Sequence, residues 1–321
     1  MWAQQLVGPG QLELVEVAEP DEVPEGRVLL RFLSGAICGS DLPKFLGVPD
    51  PLLGGAAPPP GHPMHEVVAE VVQSRAPGFE VGTRVVGFAT DSCGLAEYFI
   101  NRPDQLLPLD STLSDEHAVV IQSMSTVLSA LSRVQNIDGS RAAVIGQGPL
   151  GLLFSHALKS QGAREVIGVD RLDRSDVPKN FGIDVSVWQT SEQWARALSD
   201  DERPEIVIEA VGHQVATLND AVEAVRHKGQ IFAFGVPDST HYPFTFQRFF
   251  RKNLTLHAGN IQDWPRFLAE AEVYLETHRE LAQSYISHTI TADRAQLAFE
   301  TALTSAKGRL KVVLTPPIAR A

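Results

Sequence analysis

Cysteine is nearly missing from this chain, with two in 321 residues. Two thiols cannot build a disulfide framework, and so sparing a use fits a reducing cytosol. A basic excess is missing too. Lys and Arg number 27 against 39 Asp and Glu, a formal charge of −12, which argues against nucleic acid or an anionic membrane as a partner. No apolar run reaches the roughly 18–20 residues of a membrane span. The opening MWAQQLVGPGQLELVEV has no basic segment leading into an apolar one, so no secretory signal is expected. Internal repeats and low-complexity tracts are absent. What is present, 44% hydrophobic and 21% charged residues, is the composition of a soluble protein with a sizeable core. The length suggests about two domains. A cytoplasmic soluble enzyme is the expectation.

Two regimes divide the chain. Up to about residue 120, short apolar runs such as RVLLRFL, EVVAEVV, TRVVGFA and AEYFI alternate with Gly, Pro and Asp, the rhythm of a β-rich domain. The stretch GVPDPLLGGAAPPPGHP (47–63) is too rich in Pro and Gly for regular structure. It should be a surface loop walling a site, because it runs into two histidines. From about residue 140 strands alternate with helices: RAAVIGQG, then PLGLLFSHALKSQG, then REVIGVD form one βαβ unit. EIVIEAVG, QIFAFGVP and LTLHAGN read as further strands, ATLNDAVEAVRHKG (216–229) as a helix, and the tail as a helix (DWPRFLAEAEVYLETH) and a last strand (LKVVLT). The reading is α/β: a doubly wound parallel Rossmann sheet over 123–260, set within a β-rich domain of 1–122 and 261–321.

GQGPLG, residues 146–151, fits the G-x-G-x-x-G pattern between a strand and a helix. In that context Gly146 makes the tight turn, Gly148 lets backbone approach a pyrophosphate, and Gly151 permits close helix–strand packing. Pro149 and Leu150 open the helix, whose N-terminus offers free N–H groups to phosphate. Asp170 follows Gly151 by nineteen positions, near the spacing of about 20 expected for the carboxylate that binds ribose hydroxyls. It should repel a 2′-phosphate and favour NAD over NADP. Arg171 and Arg174 follow at once and could partner such a phosphate, so NADP stays open.

GAICGSD (35–41) sets Cys38 beside Ser40 and Asp41, and HEVVA (65–69) sets His65 beside Glu66. A lone cysteine is ordinarily a small buried hydrophobe, and Ser-Asp is a common turn-capping pair. Taken in order, GAICGSD, HEVVA, VGTRVVG (81–87), GLAEYFINRPDQLLPLD (94–110), GQGPLG, IEAVG (208–212), FGVP (234–237) and KGRLKVVL (307–314) resemble the medium-chain dehydrogenase/reductase family, in particular its zinc-type alcohol and polyol dehydrogenases. The resemblance implies a GroES-like catalytic domain, with Cys38 and His65 as ligands of one catalytic zinc. Ser40 becomes the hydroxyl that relays the proton, and Asp41 the acid that orients the histidine. Val211 and Gly235 join the cofactor site, and Phe45, Met124 and the 47–63 loop face substrate. Thiolate and imidazole suit Zn²⁺, which can lower the pKa of bound water to about 7. An alcohol bound there should ionise more readily too.

Four departures modify that picture. Only Cys93 stands where the family carries a four-cysteine lobe, so no structural zinc is expected. The family's third ligand aligns with Gln122, a neutral carboxamide, which makes Glu66 the expected third ligand and Gln122 a lesser candidate. Pro43 replaces the histidine that ends the proton relay, leaving Lys44 or water. Met64 and Ala69 replace glycines. His62, in PGHP, is set aside as a ligand because His65 alone carries the H-E-x-x-small pattern. The expected function is zinc-dependent hydride transfer between NAD(H) and a secondary alcohol or ketone of the polyol or amino-alcohol type, by a homodimer or homotetramer. A zinc-free NADPH-dependent enone or quinone reductase of the same fold is the alternative, and a non-catalytic nicotinamide-binding protein the further one.

Overall fold

A computed structural model describes residues 1–177, 179–237 and 239–318; the last three residues of the expected segment 261–321 lie outside it. The chain forms two compact units. One comprises Met1–Ser125, Asp263–Ser305 and the chain from Arg309 on; the other comprises Thr126–Gln262 and Ala306–Gly308.

The first unit is built on a seven-stranded sheet. Its strands lie in the order Ile286–Thr291, Lys311–Thr315, Val28–Ala36, Glu66–Ser74, Arg84–Phe88 and Leu106–Pro108, with Tyr98–Asn101 also paired to Val28–Ala36. All pairings are antiparallel except the first, Ile286–Thr291 with Lys311–Thr315. Along VLLRFLSGA the side chains alternate between core and surface until the last three positions, where every one is buried. That end of the strand leads directly to Cys38. Leu30, Phe32, Val67, Val85 and Phe299 pack in the core. Gly35 leaves room for Met64, whose Cε lies 2.3 Å from where a Gly35 Cβ would stand. The methionine at 64 thus fills a gap that a glycine provides.

The second unit is a six-stranded, wholly parallel sheet. Its order is Val185–Trp188, Glu165–Asp170, Arg141–Ile145, Ile206–Glu209, Gln230–Ala233, Thr255–Ala258. Numbered along the chain this is 3-2-1-4-5-6, the doubly wound arrangement, with the switch point between Arg141–Ile145 and Ile206–Glu209. The central strands RAAVI and IVIE are buried almost throughout, as a parallel sheet covered on both faces requires.

Two local expectations change. The helix expected over 216–229 ends at Ala224, with Val225 already extended. The chain then turns, through Lys228 at φ 59°, to enter the strand at Gln230, so Lys228-Gly229 marks a turn rather than a helix end. The strand Val185–Trp188 and the helix Ser191–Ala197 were not anticipated, because VSVW is short and mostly exposed.

Gly146 has φ 91°, and a Cβ on Gly151 would stand 1.8 Å from the Gly146 carbonyl oxygen. Gly151→Ala must therefore displace the turn. It should cost about 1–3 kcal/mol, read by urea denaturation, and weaken NAD binding in a fluorescence titration.

Candidate metal centre and cofactor cradle

Strand Val28–Ala36 delivers Cys38 to a short turn, and Asp41 begins the helix Asp41–Phe45. Ser40 occupies the N-cap position but makes no side-chain capping bond, so the capping explanation for this hydroxyl does not hold. Asp41 is fully buried. One of its oxygens accepts from the Cys38 backbone N–H at 3.0 Å, and the other lies 2.7 Å from His65 Nδ1. With the Nδ1 proton held by Asp41, Nε2 carries the lone pair a metal needs. Cys38, His65 and Glu66 each offer a ligand atom, and these atoms all lie within 4.8 Å of one another.

Glu66 is tied from behind. Lys311 Nζ donates to Oε1 at 2.7 Å and approaches Oε2 at 2.6 Å, and Ser123 Oγ lies 3.3 and 3.2 Å from the same two oxygens. The side chains of Lys311 and Glu66 are 3% and 1% exposed, which puts both charges in a low-dielectric interior where neither survives alone.

Charge provides the test of whether a cation fits. With Cys38 as the thiolate a metal requires, Asp41, Glu66 and Cys38 are negative, Lys311 is positive and a metal-binding His65 is neutral. The buried set is then two negative charges in excess, which one divalent ion balances. Without such an ion the histidine responds. Burial pushes its pKa down, but Asp41 and Cys38 outweigh this and hold it well above the usual imidazole range. Gln122, the lesser candidate, is 2% exposed and its Oε1 has no hydrogen-bond partner. An acceptor left bare in the interior is satisfied by a cation or a donor.

Other expected residues lie elsewhere. Phe45 is buried against Phe299, ring centroids 4.9 Å apart, and Met124 is fully buried, so neither offers surface to a substrate here. The aromatic wall at the candidate ligands is made by residues the sequence did not single out. Phe88 stacks on the His65 ring at 5.9 Å, and Trp264 on Phe88 at 4.5 Å. Tyr285 was also missed. It is fully buried, and burial pushes its pKa up in the neighbourhood of Lys311 and Glu66. His62 turns Nδ1 to the Asp91 carbonyl at 3.3 Å. Cys93 donates to the same carbonyl, and burial pushes its thiol up to about 12. Lys44 is committed to Asp50 at 2.7 Å and to Ser92 at 2.8 Å.

In the second unit Gly148 caps the helix Pro149–Ser160, with Pro149 and Leu150 in its first turn. Asp170 accepts from the Gln147 and Leu172 backbone N–H groups at 2.7 and 2.8 Å, clamping the glycine turn to the end of the next strand. Val211 is 38% exposed after its strand. A Cβ on Gly235 would stand 2.2 Å from the Gly212 nitrogen, so that turn admits only glycine. Arg171 is exposed, and its carbonyl accepts from Trp188 Nε1. Arg174 is buried, yet its Nε and Nη2 have no partner.

Two family models match the chain: the alcohol dehydrogenase GroES-like domain over residues 24–111 and the zinc-binding dehydrogenase domain over 149–272. D-arabinitol dehydrogenase 1 of Uromyces fabae is 24% identical over 92% of this chain and 91% of its own length. A sorbitol dehydrogenase of Bacillus subtilis (strain 168) is 25% identical over 94% of each. Among solved structures, an alcohol dehydrogenase from Thermus sp. ATN1 superposes with a TM-score of 0.82 at 25% identity, covering 99% of this chain and all of that one.

Removing one member of a buried ion pair strands the other. Lys311→Met should lower stability by about 3–5 kcal/mol in chemical denaturation, and adding Glu66→Gln should recover most of the loss.

Proposed function

The chain belongs to the medium-chain dehydrogenase/reductase family, and from that premise we propose a zinc-dependent dehydrogenase that moves hydride between NAD(H) and a secondary alcohol or ketone of the polyol or amino-alcohol type. The observation that carries the reading is the convergence of Cys38, His65 and Glu66 within 4.8 Å, with Asp41 fixing the histidine tautomer. The polyol relatives support the substrate class.

Cys38 and His65 would hold the ion. Glu66 is the third ligand by proximity, and Gln122, which the family resemblance aligns with the third ligand, is the lesser candidate, its Oε1 having no hydrogen-bond partner. Bound zinc supplies a Lewis acid that favours the alkoxide form of an alcohol, and bound nicotinamide supplies the hydride acceptor. Ser40 is the group free to take the alcohol proton, since its hydroxyl is committed to no cap. Pro43 cannot continue a relay, and Lys44 is occupied by Asp50 and Ser92, so the proton passes to water. Phe88 and Trp264, stacked beyond His65, limit how much water reaches the ligands.

The cofactor seat would be Gly146–Gly151 with Asp170, Arg171, Val211 and Gly235. Asp170 disfavours a 2′-phosphate by like charge, hence NAD. The sheet ends in the strand Thr255–Ala258, and an unpaired edge of this kind would join its copy across a two-fold axis in a homodimer or tetramer.

One observation favours the rival, a zinc-free NADPH-dependent reductase: the buried Arg174 guanidinium has two nitrogens without partners and would welcome a phosphate. Metal analysis of gently purified protein separates the readings. About one zinc per chain supports the dehydrogenase, and full turnover in metal-free protein supports the reductase.

Cys38→Ser should abolish both bound zinc and NAD-dependent turnover, a loss exceeding the roughly 10–100-fold that removal of a supporting residue costs. Asp41→Asn should fall within that range, read as zinc affinity by chelator competition. Retention of zinc and turnover in Cys38→Ser overturns the site. For the cofactor, kcat/KM with NAD should exceed that with NADP by about tenfold or more, equivalent to about 1.4 kcal/mol, and Asp170→Ser should narrow the ratio.

A further inference from the structure

The second unit carries a cavity of about 630 Å³ that no part of the proposed reaction uses. It lies among the segments that precede the strands Ile206–Glu209, Gln230–Ala233 and Thr255–Ala258, hence at the N-terminal edge of the parallel sheet. The cradle residues Gly146, Asp170, Val211 and Gly235 stand at the C-terminal ends of strands, on the opposite edge. The cavity is therefore separate from the dinucleotide seat.

Its lining is cationic in a chain of net charge −12. Arg203, Arg226, Arg248, Arg251 and Lys252 line it, against Asp200 as the single lining acid. Three carboxylates answer the arginines. Asp200 pairs with Arg203 at 3.2 Å, Glu205 with Arg226 at 2.8 Å, and Glu223 with Arg248 and more distantly with Arg203. Five cations against three anions leave an excess of positive charge, and Arg251 has no ion pair among the described residues. Part of this charge is fixed. Arg203 is 12% exposed and donates to the carbonyls of Leu198 and Glu223. Lys252, 7% exposed, gives hydrogen bonds to the carbonyls of Val222, Glu223 and Val225. Burial, then the field of Arg203 and Arg248, pull the lysine down to about 8 despite Glu223. The cavity therefore disfavours a further cation and favours an anion.

We propose that this cavity binds a small phosphate-bearing metabolite, with Arg226, Arg248 and Arg251 reaching its oxygens while Arg203 and Lys252 supply the buried positive charge. Guanidinium groups match the bidentate geometry of phosphate, and the volume falls within the roughly 300–1,000 Å³ of small-molecule sites. A nucleic acid is the poorer occupant, because its extended charge would meet the acidic remainder of the surface.

The test uses the full chain saturated with NAD, so that the cradle is filled, and titrates inorganic pyrophosphate by calorimetry against chloride at matched ionic strength. Pyrophosphate should bind one per chain. Arg251→Gln should weaken it several-fold, and Arg248→Gln combined with Arg251→Gln by about tenfold or more, a change of about 1.4 kcal/mol. NAD affinity should be unchanged in both variants. Arg251 is exposed and unpaired, so its variant is informative even where the double variant folds poorly. Pyrophosphate binding that matches chloride, that survives Arg251→Gln undiminished, or that a short DNA duplex exceeds overturns the proposal.

Discussion

A carboxylate removed from water must find a positive partner, and the first unit is organised around that need. Glu66 begins one strand of the sheet and Lys311 begins another, 245 positions later, with strand Val28–Ala36 between them. Their pairing in a dry interior is unforgiving, since either charge alone costs several kcal/mol. It fixes the C-terminal strand against the turn that carries His65. The same turn is fixed a second time by the hydrogen bond between Asp41 and His65 Nδ1, which brings the segment after Val28–Ala36 to meet it. Cys38 is positioned as a consequence, because its own N–H is bonded to the other oxygen of Asp41. The three candidate ligand atoms converge because two buried acids have each been satisfied.

Much of this was legible in the sequence because it rests on local chemistry. Glycine spacing, the strand–turn–helix context and Asp170 are properties of some thirty consecutive residues, and the doubly wound sheet follows from strands alternating with helices. Cys38, Asp41, His65 and Glu66 stand out as polar groups in apolar surroundings. What escaped depends on distant segments meeting. Lys311 lies in plain view between Leu310 and Val312 on a strand buried up to its last residue, and a lysine there demands a buried acid, yet nothing in its neighbourhood says which one. Phe88 and Trp264 read as ordinary apolar residues until the fold stacks Phe88 on the His65 ring and Trp264 on Phe88, and Tyr285 gives no local sign that it will be buried near Lys311 and Glu66. Phe45 and Met124 erred in the opposite direction. An apolar side chain near a site in sequence can point either into the core or toward substrate, and only packing decides. Similarly, the helix ending at Ala224 cannot be told from one ending at Lys228 by composition, since the return to the strand at Gln230 sets the limit.

The two edges of the parallel sheet carry different chemistry, which would let one scaffold separate two kinds of anion recognition. At the C-terminal edge the groups are neutral: backbone N–H donors, a helix start and glycines that allow close approach. A carboxylate, Asp170, sits among them without harm because backbone N–H groups hold it. At the N-terminal edge the recognition elements are side-chain cations, restrained by backbone carbonyls such as those Lys252 meets at the end of the helix Ala216–Ala224. Those carbonyls carry the negative end of the helix dipole, so the cations stabilise the fold whether or not an anion is present.

On the proposed zinc reading, charge balance would let Gln122 stand where zinc-type members of the family carry an acid or a thiol. With Glu66 neutralised by Lys311, a thiolate at Cys38 and the carboxylate of Asp41 would already match a divalent ion on the proposed reading. A further carboxylate at position 122 would leave the buried set one negative charge in excess, at a depth where Gln122 is 2% exposed and uncompensated charge is costly. A carboxamide supplies an oxygen without that charge. Its bare Oε1 is an acceptor that a cation or a donor would satisfy. The departure at 122 and the Glu66–Lys311 pair are then two halves of one electrostatic arrangement, and changing either alone would unbalance the other.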